Sequence, residues 1–263
     1  MLDTAALLTA YDAQLRGAAE LPSAVRLDHP GPLVWGVFEG GQGFVTYHDL
    51  GGATGTELRD LVRATARRYQ DDPDITEVEW KTRGHDHAPG LHDLLVEHGF
   101  EPGDPETVMV GRSEDLVSDA VLPDGVSVRR ISEPDDVRRM CVMADEAFGD
   151  HSPRMADALI SRLASGRDDM ELWVAEADRQ VVSCGRLEPV ADSEFAGLWG
   201  GATLAAWRGQ GIYRVLTSER ARSALRRGRT LMNSDCTEYS RPILERAGMV
   251  KVTTTTPYAW RRA

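Results

Sequence analysis

Apolar residues recur along the chain at two different spacings, and the spacing assigns the elements. Short apolar or alternating runs at 33–38 (LVWGVF), 43–47 (GFVTY), 126–131 (VSVRRI), 171–176 (ELWVAE), 181–187 (VVSCGRL) and 196–204 read as strands. Helical spacing appears over 55–69 and about 211–227; in the second, Ile212, Val215, Leu216, Ala221 and Leu225 predict one sheet-facing stripe. Ser132 is the expected N-cap of a helix over Glu133–Phe148, and Ser152 with Pro153 the expected start of another over 152–165. The two strands after it form a hairpin turning at about Asp178–Gln180.

An approximate internal repeat organises these elements. EVEWKTRGHDHAPGLHDLLVEHGFEPGDPETVMVGR (77–112) and RTLMNSDCTEYSRPILERAGMVKVTTTTPYAWR (229–261) each read as strand, polar break, helix and β-rich strand. Gly99 and Gly248 follow the last apolar residues of the two helices, where a left-handed cap favours glycine. The pattern predicts an α/β chain of two similar halves, with a boundary near 113–124 (SEDLVSDAVLPD) and domains over 1–118 and 124–263.

Charge divides the same way: the net −12 splits into −13 for residues 1–120 and +1 for 121–263. An acidic surface repels phosphate backbones and argues against nucleic-acid partners. No apolar run approaches the roughly 18–20 residues of a membrane span. The first residues lack a basic n-region, and the three cysteines (Cys141, Cys184, Cys236) lie far apart, so the expectation is a cytoplasmic protein without disulfides, metal or membrane contact. His85 and His87 have no third ligand at metal spacing, and Asp71, Asp72 and Asp74 lack the spacing of a calcium loop. Basic residues cluster at Arg220, Arg222, Arg226, Arg227 and Arg229, either as an exposed helix face or with one arginine near a bound anion.

The densest chemical signal is LWGGATLAAWRGQGIYRVL (198–216), an apolar strand that runs through a glycine-rich turn into a helix. Glycines at 209 and 211 permit a close backbone approach, and free amides at the helix start, with the positive dipole end, suit a pyrophosphate. Arg208 and Arg214 flank the turn. Neither a GxxxxGK[ST] P-loop nor a strand-coupled GxGxxG is present.

Arg208, Gly209, Gln210, Gly211, Ile212 and Tyr213 match the pattern Q/R-x-x-G-x-G/A, and here the chain resembles the GNAT superfamily of acyl-CoA-dependent N-acetyltransferases. A second feature, the family's -LYE-x-x-GF helix end, corresponds to Ile243–Met249. LLVEHGFEPGDPETVMVG in the first half looks like the same segment, while GGATGT (51–56) replaces the signature there, so the chain resembles a tandem GNAT with a degenerate first half. The resemblance implies an α/β (α+β) fold of two GNAT-like mixed β-sheets flanked by helices, with acetyl-CoA as co-substrate. It further implies that Gly201, Ala202 and Thr203 face the pantetheine, that Gly209 to Arg214 wrap the pyrophosphate, and that Thr237 bonds the pantetheine region; Thr237 also reads as a plain N-cap.

Two positions depart from the pattern. Tyr213 replaces the last small residue, and Leu244 stands where many members carry the tyrosine that protonates the leaving thiolate. Tyr239 is then the nearest alternative acid, or a packing or surface residue, with solvent serving instead. Asp192 and Glu194 are the candidate bases just before the signature strand, or part of a solvated turn; His151 is a further candidate. The resemblance implies acetyl transfer to a primary amine, carried by a small molecule or peptide, by direct attack. A non-catalytic acyl-CoA-binding or scaffolding module is the alternative, and an interaction protein a third reading. The acceptor segments are expected at about 147–156 and 252–259, and the first half is expected to bind no second acyl-CoA.

Overall fold

The computed structural model describes residues 3–149 and 151–262. The chain opens with helix α1 (Thr4–Leu15), which the sequence reading did not anticipate, and a 3-10 turn at Gly17–Glu20. Strands β1 (Arg26–Asp28), β2 (Leu33–Phe38) and β3 (Gln42–Tyr47) precede α2 (Gly55–Gln70) and β4 (Glu77–Arg83). Then follow α3 (Leu91–Glu97), the short β5 (Glu101–Pro102) and β6 (Glu106–Arg112). The second half contains β7 (Val126–Ile131), α4 (Pro134–Phe148), α5 (Met155–Ala164), β8 (Glu171–Ala177), β9 (Gln180–Pro189) and β10 (Phe195–Thr203). It ends with α6 (Ile212–Arg226), β11 (Leu231–Cys236), α7 (Arg241–Arg246) and β12 (Val250–Arg261).

Local chemistry explains most boundaries. Gly99 and Gly248 take φ of 86° and 102°, the left-handed stop their position predicts. The hairpin turns at Asp178 and Arg179, both at positive φ, as a two-residue connection matched to strand twist requires. Two predicted caps move: Glu133, with Pro134 at the first helical position, caps α4 in place of Ser132, and α5 begins two residues after Pro153, with Arg154 at its N-cap. On α6, Leu225 is exposed while Ala224 and Arg220 are buried, so the stripe sits slightly rotated from the predicted one.

The two halves do not build two sheets. All twelve strands belong to one sheet, whose main path runs β1-β2-β3-β4-β12-β6-β11-β10-β9-β8-β7, with β5 on β12. The last strand of each sequence half completes the sheet of the other. β6 lies antiparallel against β11 (Leu231↔Arg112 to Cys236↔Thr107), and β12 against β4 (Thr255↔Arg83 to Arg261↔Glu77). β6 and β12 also pair with each other across the seam. The structural units therefore cross the sequence boundary between 1–118 and 124–263, because pairing follows strand edges and not chain order. Val108, Met109 and Val110 of β6 are fully buried at this seam, and at about 1.5–3 kcal/mol per large apolar side chain they contribute on the order of 5–9 kcal/mol.

Both faces are covered. Helices α2 and α3 pack over Val78, Trp80 and Tyr258; α4 and α5 cover Leu172, Val174 and Ala202. Helix α1 lies across the seam, with Leu7, Tyr11 and Leu15 on Val108, Val110 and Phe195. Among the described residues no helix is long and apolar enough to cross a membrane.

Because the terminal strands are exchanged, proteolytic cleavage within residues 117–124 should leave the two fragments associated on size-exclusion chromatography without denaturant. Fragments that separate under those conditions would contradict the exchange.

Candidate functional site

β10 and β11 run parallel for only three residue pairs, Phe195↔Leu231, Ala196↔Met232 and Gly197↔Asn233. Beyond them β10 stays with β9 and β11 with β6, so the two strands part and leave a wedge between them. β10 is irregular between Trp199 and Ala202, with Gly200 at φ 56°. The Ser234 hydroxyl donates to Leu198 O at 3.0 Å and closes the narrow end of the wedge.

At the wide end the chain turns through Arg208–Gly211 into α6. Gly209 and Gly211 hold φ of 76° and 80°, and a Cβ on either would meet open space. Positive φ thus explains both glycines, and the loop leaves an open concavity beside them. The first α6 amide bonded back along the chain is that of Val215, donating to Gly211 O at 3.1 Å. The preceding helix-start amides, with the dipole behind them, form an anion cradle. Arg214 is exposed beside it. Arg208 is braced: its Nε donates to Thr203 O at 3.0 Å and its Nη2 to Ala147 O at 3.2 Å, tying the loop to β10 and the end of α4. The Gln210 amide likewise donates to Ala206 O. These residues fit an acyl-CoA diphosphate.

The strand side is tighter. The Tyr213 ring turns toward β10, and its hydroxyl would lie 2.4 Å from a Cβ on Gly201, so only glycine is accommodated there. The fully buried Arg220 guanidinium sits 5.5 Å from the centre of that ring and donates to Arg186 O and Thr217 Oγ1. The Ala202 carbonyl accepts from Ser183, and the Thr203 carbonyl is held by Arg208. Of the three strand positions carried over, Gly201 is the one facing the wedge-side tyrosine.

Several expectations need correction. Glu194 and Asp192 lie at the opposite end of β10, about 20 Å from Gly200 at roughly 3.3 Å per residue; Glu194 accepts from Gln14 and Thr230, and Asp192 occupies an exposed turn at φ 52°. Tyr239 follows β11 at the correct end of the sheet but is 91% exposed, and Leu244 is in the core at 1%. Thr237 does not begin a helix: Ser240 is the N-cap of α7, and the Thr237 carbonyl accepts from the amides of Ser240 and Arg241. His151 is exposed and bonded to Asp145. The arginine run is mostly engaged: Arg222 with Glu219, Arg227 with Asp168 and Glu171, and Arg229 with Ser193 O. His85 bonds Asp12 and Thr253.

What sequence reasoning missed lies on the α1 face of the wedge. A cleft of about 340 Å³ there is bounded by Trp199 and Glu188 from the second half and by Tyr11, Glu20, Phe44 and Lys81 from the first, with Asn233 and Asp235 on its floor. Position 150 of the expected acceptor segment lies outside the described residues; none of 147–149, 151–156 or 252–259 lines the cleft. The Asp235 side chain is 4% exposed; its Oδ2 accepts from Lys81 Nζ at 2.5 Å, and its Oδ1 has no partner among the described residues. Asn233 Oδ1 is also buried, with no partner among the described residues. Glu20 lies 3.8 Å from Lys81 and accepts from Arg83. These carboxylates outweigh the desolvation of Lys81 and push its pKa up, so it stays charged. Glu188 pairs with Arg162 at 2.9 Å. The cleft combines residues from strands separated by over a hundred positions, and no local motif marks it.

The corresponding gap of the first half is filled. β3 and β4 stop pairing at Val45↔Trp80, and beyond it stands Arg83, buried and bonded to Glu20, Thr46 and Tyr11. Arg16 closes the same region through Asp86 and lies over the Tyr47 ring. The concavity by Leu50–Ala53 carries Glu57 and Asp60, which oppose a phosphate.

Solved structures share this architecture. The chain is similar to a GCN5-related N-acetyltransferase from Kribbella flavida (TM-score 0.69, 17% identity, 100% of this chain and 97% of that one). It is also similar to one from Sphaerobacter thermophilus (TM-score 0.65, 20% identity, 88% and 76%). A tandem GNAT protein from the clavulanic acid biosynthesis pathway gives a TM-score of 0.64 at 13% identity over 98% and 94% of the two chains. No family model and no curated protein matches the sequence. The fold is that of the GNAT N-acetyltransferases in tandem form.

Lys81 is the cation that holds Asp235 and Glu20 together. Lys81→Met should destabilise the fold by about 3–5 kcal/mol, because two buried carboxylates lose their shared partner. A denaturant midpoint equal to that of the parent chain would show that the pair contributes little.

Proposed function

We propose that the chain transfers an acetyl group from acetyl-CoA to a primary amine at the wedge between β10 and β11. The observation that carries this reading is the open, glycine-lined cradle at 208–214, set at the wide end of a wedge whose α1 face opens onto a carboxylate-bearing cleft. Bound acetyl-CoA supplies the activated thioester. The residues supply position: amides of the α6 start hold the diphosphate, Arg208 fixes the loop, and the parted strands receive the pantetheine arm.

The acceptor arrives through the cleft as an ammonium and must lose a proton before its lone pair is available. In register, Asp235 is level with Trp199, two residues beyond the last β10–β11 pair. Its unpartnered Oδ1 takes that proton, while Lys81 holds Oδ2. The nitrogen then forms the new bond to the acetyl carbon as the carbon–sulfur bond breaks, giving thiolate and an N-protonated amide that releases its second proton to water. With Leu244 in the core and Tyr239 in solvent, the thiolate takes its proton from water. Proximity within the wedge supplies most of the acceleration.

One observation favours a second reading, an acyl-CoA-binding module without turnover: Leu244, at the position of the family's usual acid, lies in the core, and Tyr239 is in solvent. CoA release across a panel of amines separates the two.

Gly211→Glu should weaken acetyl-CoA binding more than tenfold, about 2–3 kcal/mol, through lost amide contacts and like-charge repulsion. An unchanged dissociation constant in the folded variant, measured by calorimetry, would sink the cradle assignment. Asp235→Asn should lower kcat at least about a hundredfold while acetyl-CoA affinity stays within about threefold of the parent. Undiminished kcat would remove Asp235 as the proton acceptor.

A further inference from the structure

Resting on the acetyltransferase reading, we propose that the acceptor is a linear di- or polyamine, with the reacting ammonium at Asp235 and Asn233 and a distal ammonium on Glu79 and Glu106. The placement follows from the exchanged strands. Glu79, Lys81 and Arg83 alternate onto one face of β4, which Lys81 identifies as the cleft face. Glu106 shares its face of β6 with Val108, the residue paired with Asp235, and Thr255 of β12 is paired with both Glu106 and Arg83. A row of charges thus crosses the seam from β4 to β11.

That row is short of cations. Lys81 and Arg83 are already engaged by Glu20 and Asp235, and Arg162 and Arg186, which also line the cleft, are paired with Asp169 and Glu188. Glu79 and Glu106 are half-buried and make no hydrogen bond or ion pair with any described residue. Burial raises the pKa of both, and the Asp235 charge raises each further. An arriving ammonium relieves that repulsion.

The floor carries a second, independent sign of a ligand. Asn233 is 5% exposed and lines the cleft, yet its Oδ1, like Asp235 Oδ1, has no donor among the described residues. Buried acceptors without donors are costly, and an ammonium, with three N–H donors and no acceptor, is the group they match. Phe44, at the first-half end of the cleft and paired in register with Glu79, offers an aromatic neighbour to the distal cation. Adjacent strands lie about 4.8 Å apart, so the three steps from β11 to β4 span about 14 Å, which an extended triamine such as spermidine, about 11 Å between its terminal nitrogens, covers with one ion-pair contact of about 3 Å.

The test compares spermidine with n-butylamine by titration calorimetry, without acetyl-CoA, on the full chain and on the Glu79→Gln/Glu106→Gln variant. The parent should bind spermidine at least about tenfold tighter, and the variant should reduce that preference to within about threefold. Thermal unfolding near neutral pH checks the fold, and the variant should melt no lower than the parent because two repelling carboxylates are gone. Equal affinity for the two amines, or a preference that survives in the folded variant, overturns the polyamine assignment. Glutamate-dependent spermidine binding in a chain that releases no CoA with any amine supports the groove and overturns only the transfer reading.

Discussion

The exchange of terminal strands is the constraint on which the remaining structure depends. β12 spans twelve residues and is inserted between β4 and β6, while β6 occupies the edge of β11. Each half thereby loses its own closing strand and gains the other's. A hydrogen-bonded ladder has no preference for chain order; it needs an available edge and a matching register. Once made, the exchange converts two small sheets into one and brings the charged face of β4 to within three strands of β11. The cleft follows from that placement, since its two walls come from different halves.

Electrostatics then gives the seam its character. The chain contains two lysines among 30 basic residues, and one of them, Lys81, stands at this junction between Asp235 and Glu20. Its compact charge serves two carboxylates at once, where a planar guanidinium favours a single bidentate partner. Arg83, one alternation further along β4, instead fills the gap between β3 and β4 and bonds Glu20 and Thr46. The two basic residues have opposite consequences. Arg83 closes the first half's wedge, while Lys81 leaves one oxygen of Asp235 open beside the second.

Much of this was legible in the sequence, where information is local. The strands at 33–38 and 126–131, the helix at 55–69 and the glycine stops at 99 and 248 follow from periodicity and backbone preference, and they appear in the structure with shifts of a residue or two. The turn at 208–211 was legible for the same reason, since two positive-φ glycines before a helix are a local requirement. Helix α1 was not, because its apolar residues cover a seam formed by strands a hundred positions away. The catalytic candidates failed for a related cause. Asp192 and Glu194 are near the signature strand in sequence, but nine extended residues carry its two ends far apart. Asp235 sits within an ordinary strand, and only the parting of β10 from β11 gives it meaning.

The central claim is that one wedge, between β10 and β11, receives acetyl-CoA while the first half's equivalent is filled by its own side chains. A crystal structure of the chain grown with excess CoA tests this directly. The account predicts ligand density with the diphosphate on the amides of Gly209 to Arg214, the pantetheine arm between the parted strands past Leu198, and none at residues 48–56. Density beside Gly51–Gly55, or a diphosphate bound away from the α6 start, would contradict it.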